Sequence, residues 1–175
     1  RGHLSEGRRW LEAALSLLSS EPHTREPIAD PAEQPRMRLR AKTLNRAAVL
    51  ADEQGDYARA TADYEVALAL FRQLHDAKGI GTVLNNLGGL AHVQGDNTRA
   101  RQCFEESIAL FQEQDDMWAV AMAFTNLGSV AEAQDDYASA TSYYEESLAL
   151  LRTLGDTGAS ANVLHNLGQV AQAQG

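Results

Sequence analysis

The sequence predicts an all-α solenoid, a stack of antiparallel helix hairpins with about eight helices. Three observations predict it. Gly55, Gly95 and Gly175 fall on one 40-residue register, with Asp135 at the fourth place. Ala51, Ala91, Ala131 and Ala171 repeat on the same spacing, as do Ala60, Ala100 and Ala140, and Tyr64, Phe104 and Tyr144. Within each period the apolar residues recur at helical intervals, as Leu84, Leu87, Gly88 and Ala91 do. A fixed period in this range marks units that each bury a face only by stacking on their neighbours. Such an architecture offers a surface rather than a pocket, and so points to binding before chemistry.

The elements follow in order. Residues 2–19 match a second helix of the repeat: Gly2, Gly7, Leu11, Ala14 and Leu15 align with Gly55, Ala60, Tyr64, Ala67 and Leu68 at an offset of 53. That offset exceeds the period, so an insertion follows. All four prolines (Pro22, Pro27, Pro31 and Pro35) lie in it, and proline is incompatible with a helix interior, so 20–35 is expected to be a loop. Three complete hairpins come next, at 36–74, 76–114 and 116–154. In the middle one, Gly95 ends the first helix, where a positive φ is easiest without a Cβ. Asp96 then caps the second helix, whose inner side carries Ala100, Phe104, Ile108 and Phe111. Residues 156–175 match a first helix through Leu164, Leu167, Gly168 and Ala171. The expected domain is thus a single array over 1–175, a piece of a longer protein. Apolar faces near Leu11, Leu15 and Leu164 are expected to be uncovered and to favour self-association through the open repeat ends.

Composition narrows the function. The 175 residues are 44% apolar and 6% aromatic, ordinary for a chain that buries a core of closely packed helices. The net charge of -9 is uneven: residues 1–46 carry +3 and residues 47–175 carry -12. An acidic body disfavours direct nucleic-acid binding, which needs a basic face. It favours a basic or mixed-charge partner. Cys103 is the single cysteine, which excludes an intramolecular disulfide and a cysteine-based zinc site. No apolar run approaches a membrane span and no signal peptide opens the chain, so no membrane partner and a cytoplasmic location are expected.

The hairpin pattern resembles the tetratricopeptide repeat (TPR). Leu84, Leu87-Gly88, Ala91, Ala100, Phe104 and Ser107, with their equivalents one period away, carry the resemblance. It implies a right-handed TPR superhelix. Gly88, Gly128, Gly168 and Ala48 would stand where the two helices of a hairpin touch most closely, and Tyr64, Phe104 and Tyr144 between neighbouring units. The period is longer than the usual TPR value of about 34 residues, and the usual proline closing the second helix is absent. The longer form resembles the repeats of kinesin light chain and of bacterial regulatory proteins. The opening Arg1-Gly2-His3-Leu4-Ser5-Glu6-Gly7-Arg8-Arg9-Trp10-Leu11-Glu12 resembles the start of the TPR arm in bacterial STAND-type signal-transduction ATPases, including LuxR-like and NB-ARC-like regulators. That resemblance implies an arm that senses an inducer or a partner.

In TPR arrays the first helices line the concave face. The residue before Leu-Gly is Asn86, Asn126 and Asn166, with Arg46 at the equivalent place. Side-chain amides repeated along one surface offer paired donors and acceptors. Two readings stand: a clamp for the backbone of an extended or helical peptide, or bonds between neighbouring first helices that stiffen the stack. Asn45, Asn85 and His165, one residue earlier, would add specificity, followed by Val49, Gly89, Ser129 and Gln169, then His92, Glu132 and Gln172. A small-molecule pocket around Asn85, His92 and Asn126 is the alternative use of the same face. The lining lacks the Lys/Arg run that grips a terminal carboxylate.

Other features have plainer explanations. The five histidines show no metal-ligand spacing. Asp115-Asp116 and Asp135-Asp136 repeat with the turns, as caps do. Cys103, beside the inward Phe104, lacks an evident base. Trp118 is either packing or a groove anchor. Gly79-Ile80-Gly81 is not a phosphate loop, since no Gly-Lys-Ser/Thr follows. Glu105-Glu106 and Glu145-Glu146 are solvated outer-face charge. No catalytic residue, metal or cofactor is expected. The sequence therefore predicts a non-enzymatic module that binds a protein or peptide.

Overall fold

A computed structural model describes residues 2–19 and 33–175, with the backbone alone for 2–5, 8 and 17–19. The described residues form eight α-helices and no strand: α1 (Gly2–Ser19), α2 (Glu33–Glu53), α3 (Tyr57–Gln73), α4 (Ala77–Val93), α5 (Asn97–Glu113), α6 (Met117–Glu132), α7 (Tyr137–Thr153) and α8 (Thr157–Gln174). The architecture is an all-α solenoid. Of the loop expected at 20–35, residues 20–32 lie outside the described residues. Its last three do not belong to a loop, because Glu33, Gln34 and Pro35 open α2. Proline is tolerated there, since the first-turn N–H groups of a helix have no intrahelical carbonyl to bond.

The turns are built to one plan, and its period is half that of the sequence repeat. Positive φ recurs every 20 residues, at Gly55, His75, Gly95, Asp115, Asp135 and Gly155. The aspartate that follows each of these serves two helices at once. Its backbone N–H closes the helix before it, bonding the carbonyl five residues back: Asp56 to Ala51 (2.8 Å), Asp76 to Phe71 (3.0 Å), and likewise at Asp96, Asp116, Asp136 and Asp156. That is the Schellman closure, for which a left-handed residue must precede. The same aspartate's carboxylate then caps the next helix. Asp56 accepts from Arg59 N–H, Asp76 from Gly79, Asp96 from Arg99, Asp116 from Ala119, Asp136 from Ser139 and Asp156 from Ala159. The glycines 79 and 81 lie in the first turns of α4, as a helix start rather than a phosphate loop.

The helices fall into two compact units, residues 1–86 and 87–175, with the boundary inside α4. In the first unit, α1 and α3 both pack on α2. Ala41, Leu44, Ala48, Tyr64 and Phe71 are buried there. In the second unit each second helix is held between two first helices. Phe104 and Phe111 of α5 share a core with Ala91 of α4 and with Val120, Ala123 and Leu127 of α6. Tyr144, Leu148 and Leu151 of α7 share one with Ala121 and Ala131 of α6 and with Val163 and Val170 of α8. Small residues permit the closest approaches. A Cβ on Gly88 would lie 2.7 Å from the Phe104 ring, and one on Gly128 would meet the Tyr144 ring. Gly168 departs from the expected pattern: nothing lies within 4 Å of where its Cβ would be.

Candidate partner-binding face

The residues singled out on the first helices are placed by the core faces of those helices. On α2, burial of Ala41, Leu44, Ala48 and Ala51 turns Lys42 and Arg46 to solvent and leaves Asn45 and Val49 half-buried. On α4, Asn85 and Asn86 are half-buried, and on α6 so is Asn126. On α8, Asn166 is half-buried while His165 and Gln169 are exposed.

One contact in the first unit carries most of the information. Asn86 Nδ2 donates to Asn45 Oδ1 at 3.1 Å, joining α4 to α2. The stiffening bond between first helices therefore exists at this place, and it links one asparagine column to the other. It engages one donor hydrogen and one acceptor oxygen. A side-chain amide carries two donor hydrogens and an oxygen with two lone pairs. The pair thus presents two amides fixed at hydrogen-bonding distance, each with capacity left for a peptide group. Arg46 is the next residue along from Asn45, exposed on the same helix.

Other members of the face have inward roles. Tyr144 is buried, and its hydroxyl donates to Glu132 Oε2 (2.9 Å) and lies 3.2 Å from Ser129 Oγ. Glu132 and Ser129 thereby satisfy a buried phenol, which would otherwise be costly. Burial pushes the Tyr144 hydroxyl up to about 12; the Ser129 bond opposes this and Glu132 reinforces it. Burial raises the Tyr64 hydroxyl as well, with Asp52 and Glu53 adding to the effect. Thr125 Oγ1 and Ser147 Oγ, 2.8 Å apart, bridge α6 and α7. His92 Nδ1 sits 2.9 Å from Asn97 Oδ1, tying the end of α4 to the start of α5.

Periodicity alone missed a further pair of ties. Arg38 Nε donates to Asp76 Oδ2 at 2.9 Å, and Trp118 Nε1 donates to Asp156 Oδ2 at 3.0 Å. Both pairs are separated by 38 residues, and each adds a donor from one first helix to the capping carboxylate of the next. Trp118 is 50% exposed, so its ring is not a core filler; its indole N–H is the part that is engaged. The signal in the sequence was a donor placed 38 residues before a capping aspartate. For Asp76, burial alone would raise the carboxyl, but the Gly79 N–H and Arg38 outweigh it and bring the pKa below its ordinary value. Asp156 is lowered by the Ala159 N–H and then by Trp118.

Among the described residues no group of three or more His, Cys, Asp or Glu side chains could hold a metal ion, and no helix is long and apolar enough to cross a membrane. A family model of the tetratricopeptide repeat matches residues 39–113 and 119–175. No curated protein matches the chain significantly. Solved structures do. BtubC (BKLC) from P. vanneervenii is similar with a TM-score of 0.80 and 23% identity, covering 99% of this chain and 67% of that one. The apo form of RapI is similar at 0.75 and 18%, covering 95% and 55%. Aspartyl phosphate phosphatase F from Bacillus subtilis is similar at 0.72 and 14%, covering 95% and 44%. At these identities the likeness is one of fold.

Proposed function

Because the chain belongs to the tetratricopeptide repeat family, we propose that it is a protein-interaction module that holds a peptide segment of a partner against the polar faces of its first helices. The observation that carries this reading is the Asn45–Asn86 pair, two half-buried amides locked together at 3.1 Å on neighbouring first helices. Locking matters because a partner then meets groups whose ordering has already been achieved. Asn86, Asn126 and Asn166 supply backbone contacts. Asn45, Asn85, Arg46, His165 and Gln169 set which side chains are accepted, while His92 is engaged with Asn97. The charge of -12 over residues 47–175 favours a partner segment with basic character. The likeness of residues 1–12 to STAND-type arms supports placing the module in a cytoplasmic bacterial regulator of that type, as the part that senses its partner. A nucleotide-binding motif and winged helix encoded upstream of Arg1 is the sign to look for; an unrelated upstream domain would remove that assignment.

The test is selection of peptides from a random display library on the chain, followed by titration calorimetry of those selected. Replacing Asn86, Asn126 and Asn166 together by alanine should weaken binding on the order of a hundredfold, at about 1 kcal/mol for each of the hydrogen bonds lost. Helicity by circular dichroism should be unchanged. Selected peptides that bind the triple variant as tightly as the parent would refute the assignment of this face.

A further inference from the structure

Two equivalent carboxylates in the array meet different donors. In the first unit, Asp76 Oδ2 accepts from the guanidinium of Arg38 at 2.9 Å. Two periods later, in the second unit, Asp156 Oδ2 accepts from the indole of Trp118 at 3.0 Å. The indole supplies a hydrogen without supplying a charge. The Ala159 N–H and then that indole hold the Asp156 carboxyl below its ordinary value, and both donors are neutral. Asp156 therefore lacks the cation that its counterpart receives from the same place on the preceding first helix. The ring it holds is 50% exposed although its nitrogen is engaged, so what solvent meets is the indole face. The start of α8 leaves the approach open: a Cβ on Gly158 would find only Asp156 Oδ1, at 3.6 Å. The helices beside this pair carry little other charge. On α6 the one charged side chain is Glu132, which the Tyr144 hydroxyl engages, and Thr157–Gln174 contains no Asp, Glu, Lys or Arg. The negative charge that a basic segment meets at these helices is thus concentrated at their first turns.

We propose that an arginine side chain of the bound partner segment lies flat on the Trp118 ring and pairs with the Asp156 carboxylate. The inference rests on the peptide-binding reading above and names one residue that the peptide brings. A cation held over an indole sits within ~6 Å of the ring centroid. Asp156 Oδ2 is 3.0 Å from the nitrogen of that ring, so one guanidinium reaches both. Arginine suits the place better than lysine. Its planar guanidinium stacks on an aromatic face and still directs N–H groups sideways to a carboxylate, whereas an ammonium is a compact, strongly hydrated charge. The first unit shows that a guanidinium fits this oxygen, and it needs none from a partner because Arg38 is already there.

The test uses peptides selected on the chain from a random display library, titrated by calorimetry. They should share an arginine, and exchanging it for citrulline, which is neutral and of the same shape, should weaken binding on the order of tenfold. Trp118→Leu should weaken the arginine peptide by the same factor, and citrulline should then cost nothing further. Trp118→Arg copies the Arg38–Asp76 arrangement, so it should keep its helicity and lose the preference for arginine over citrulline. Asp156→Asn keeps a capping oxygen at the start of α8 and should reduce that preference as well. The indole N–H resonance of Trp118, identified by its absence from Trp118→Leu, should move when the arginine peptide is added. Peptides with no common arginine, a citrulline exchange without effect, or a preference for arginine that persists in Trp118→Arg would each overturn the proposal. If it fails in one of these ways while the triple asparagine variant still loses affinity, the peptide-binding face stands without this residue. An arginine preference in peptides that bind the triple variant undiminished keeps the proposal and removes the asparagine contacts. A library that yields no binding peptide removes both.

Discussion

His75, Asp115 and Asp135 hold φ values of 49°, 55° and 57° at turn positions where glycine stands in the other turns. A Cβ there crowds the following carbonyl, at a cost of roughly 1–2 kcal/mol, less for aspartate. His75→Gly should therefore raise stability by about 1 kcal/mol after the extra freedom of the unfolded glycine is discounted. Urea denaturation would measure it. Asp135→Gly should gain less, because Tyr137 donates its hydroxyl to Asp135 Oδ1 at 2.9 Å. The aromatic rings set a second residue-scale expectation. Tyr144 titrates near 12 in the fold against an ordinary 10.0, because burial favours the neutral phenol. Its contribution is whole below pH 10 and is lost as pH rises through about 12. Tyr144→Phe should flatten the alkaline limb of a stability profile followed by circular dichroism. Asp135 was legible in the sequence as a stand-in for glycine. His75 and Asp115 were not, because alignment at the full period compares first-helix ends with one another and never with second-helix ends.

At the scale of the helix, Gly128 and Gly168 form a built-in comparison. They occupy equivalent places on α6 and α8, but one faces the Tyr144 ring and the other faces open space. Gly128→Ala should cost about 1–3 kcal/mol through overpacking against a ring fixed in the core. Gly168→Ala should gain about 0.5–1 kcal/mol from helix propensity alone. Opposite shifts in the midpoint of chemical denaturation are the expected outcome. Helix ends give another case. Asp76 closes α3, caps α4 and accepts from Arg38, so Asp76→Ala should cost more than the typical ~1 kcal/mol of a cap. Its carboxyl lies below the ordinary 3.8, so this stability is present above that pH and is lost as pH falls below it. Arg38→Gln should narrow the loss on acidification, read as a smaller drop in the denaturation midpoint at low pH. The caps at Asp96 and Asp116 were visible as aspartate after a turn residue. The ties from Arg38 and Trp118 were not, because a 38-residue separation follows from the packing of neighbouring first helices and leaves no mark on a single helix.

For the molecule as a whole, the solenoid was readable because every unit repeats the same apolar columns, and a column is a statement about packing. The polar face of the first helices was readable only in part. Alignment sets Asn86 beside Arg46, yet the bond runs to Asn45, one residue earlier, because of how α4 lies against α2. Ser129 and Glu132 looked like groove residues by position, but the hydroxyl of Tyr144 engages both. A tyrosine and a phenylalanine are the same entry in an apolar column, and only the structure shows where the extra oxygen goes.

The shared aspartate at each of the six turns from Asp56 to Asp156 makes the chain divisible. Each junction ends one helix and begins the next with the same atoms, so a cut made just after an aspartate leaves both sides chemically matched. Excising Asn97–Asp136 would join Asp96 to Tyr137 and bring Tyr144 over Gly88 in the place of Phe104. Such a shortened chain should keep a cooperative, fully helical melt. Excising 20 residues in place of 40 would preserve the junction but exchange a second helix for a first, and should abolish the melt. Hairpins bounded this way can be lost, duplicated or traded without repairing a joint, so the array can change length and surface one cassette at a time.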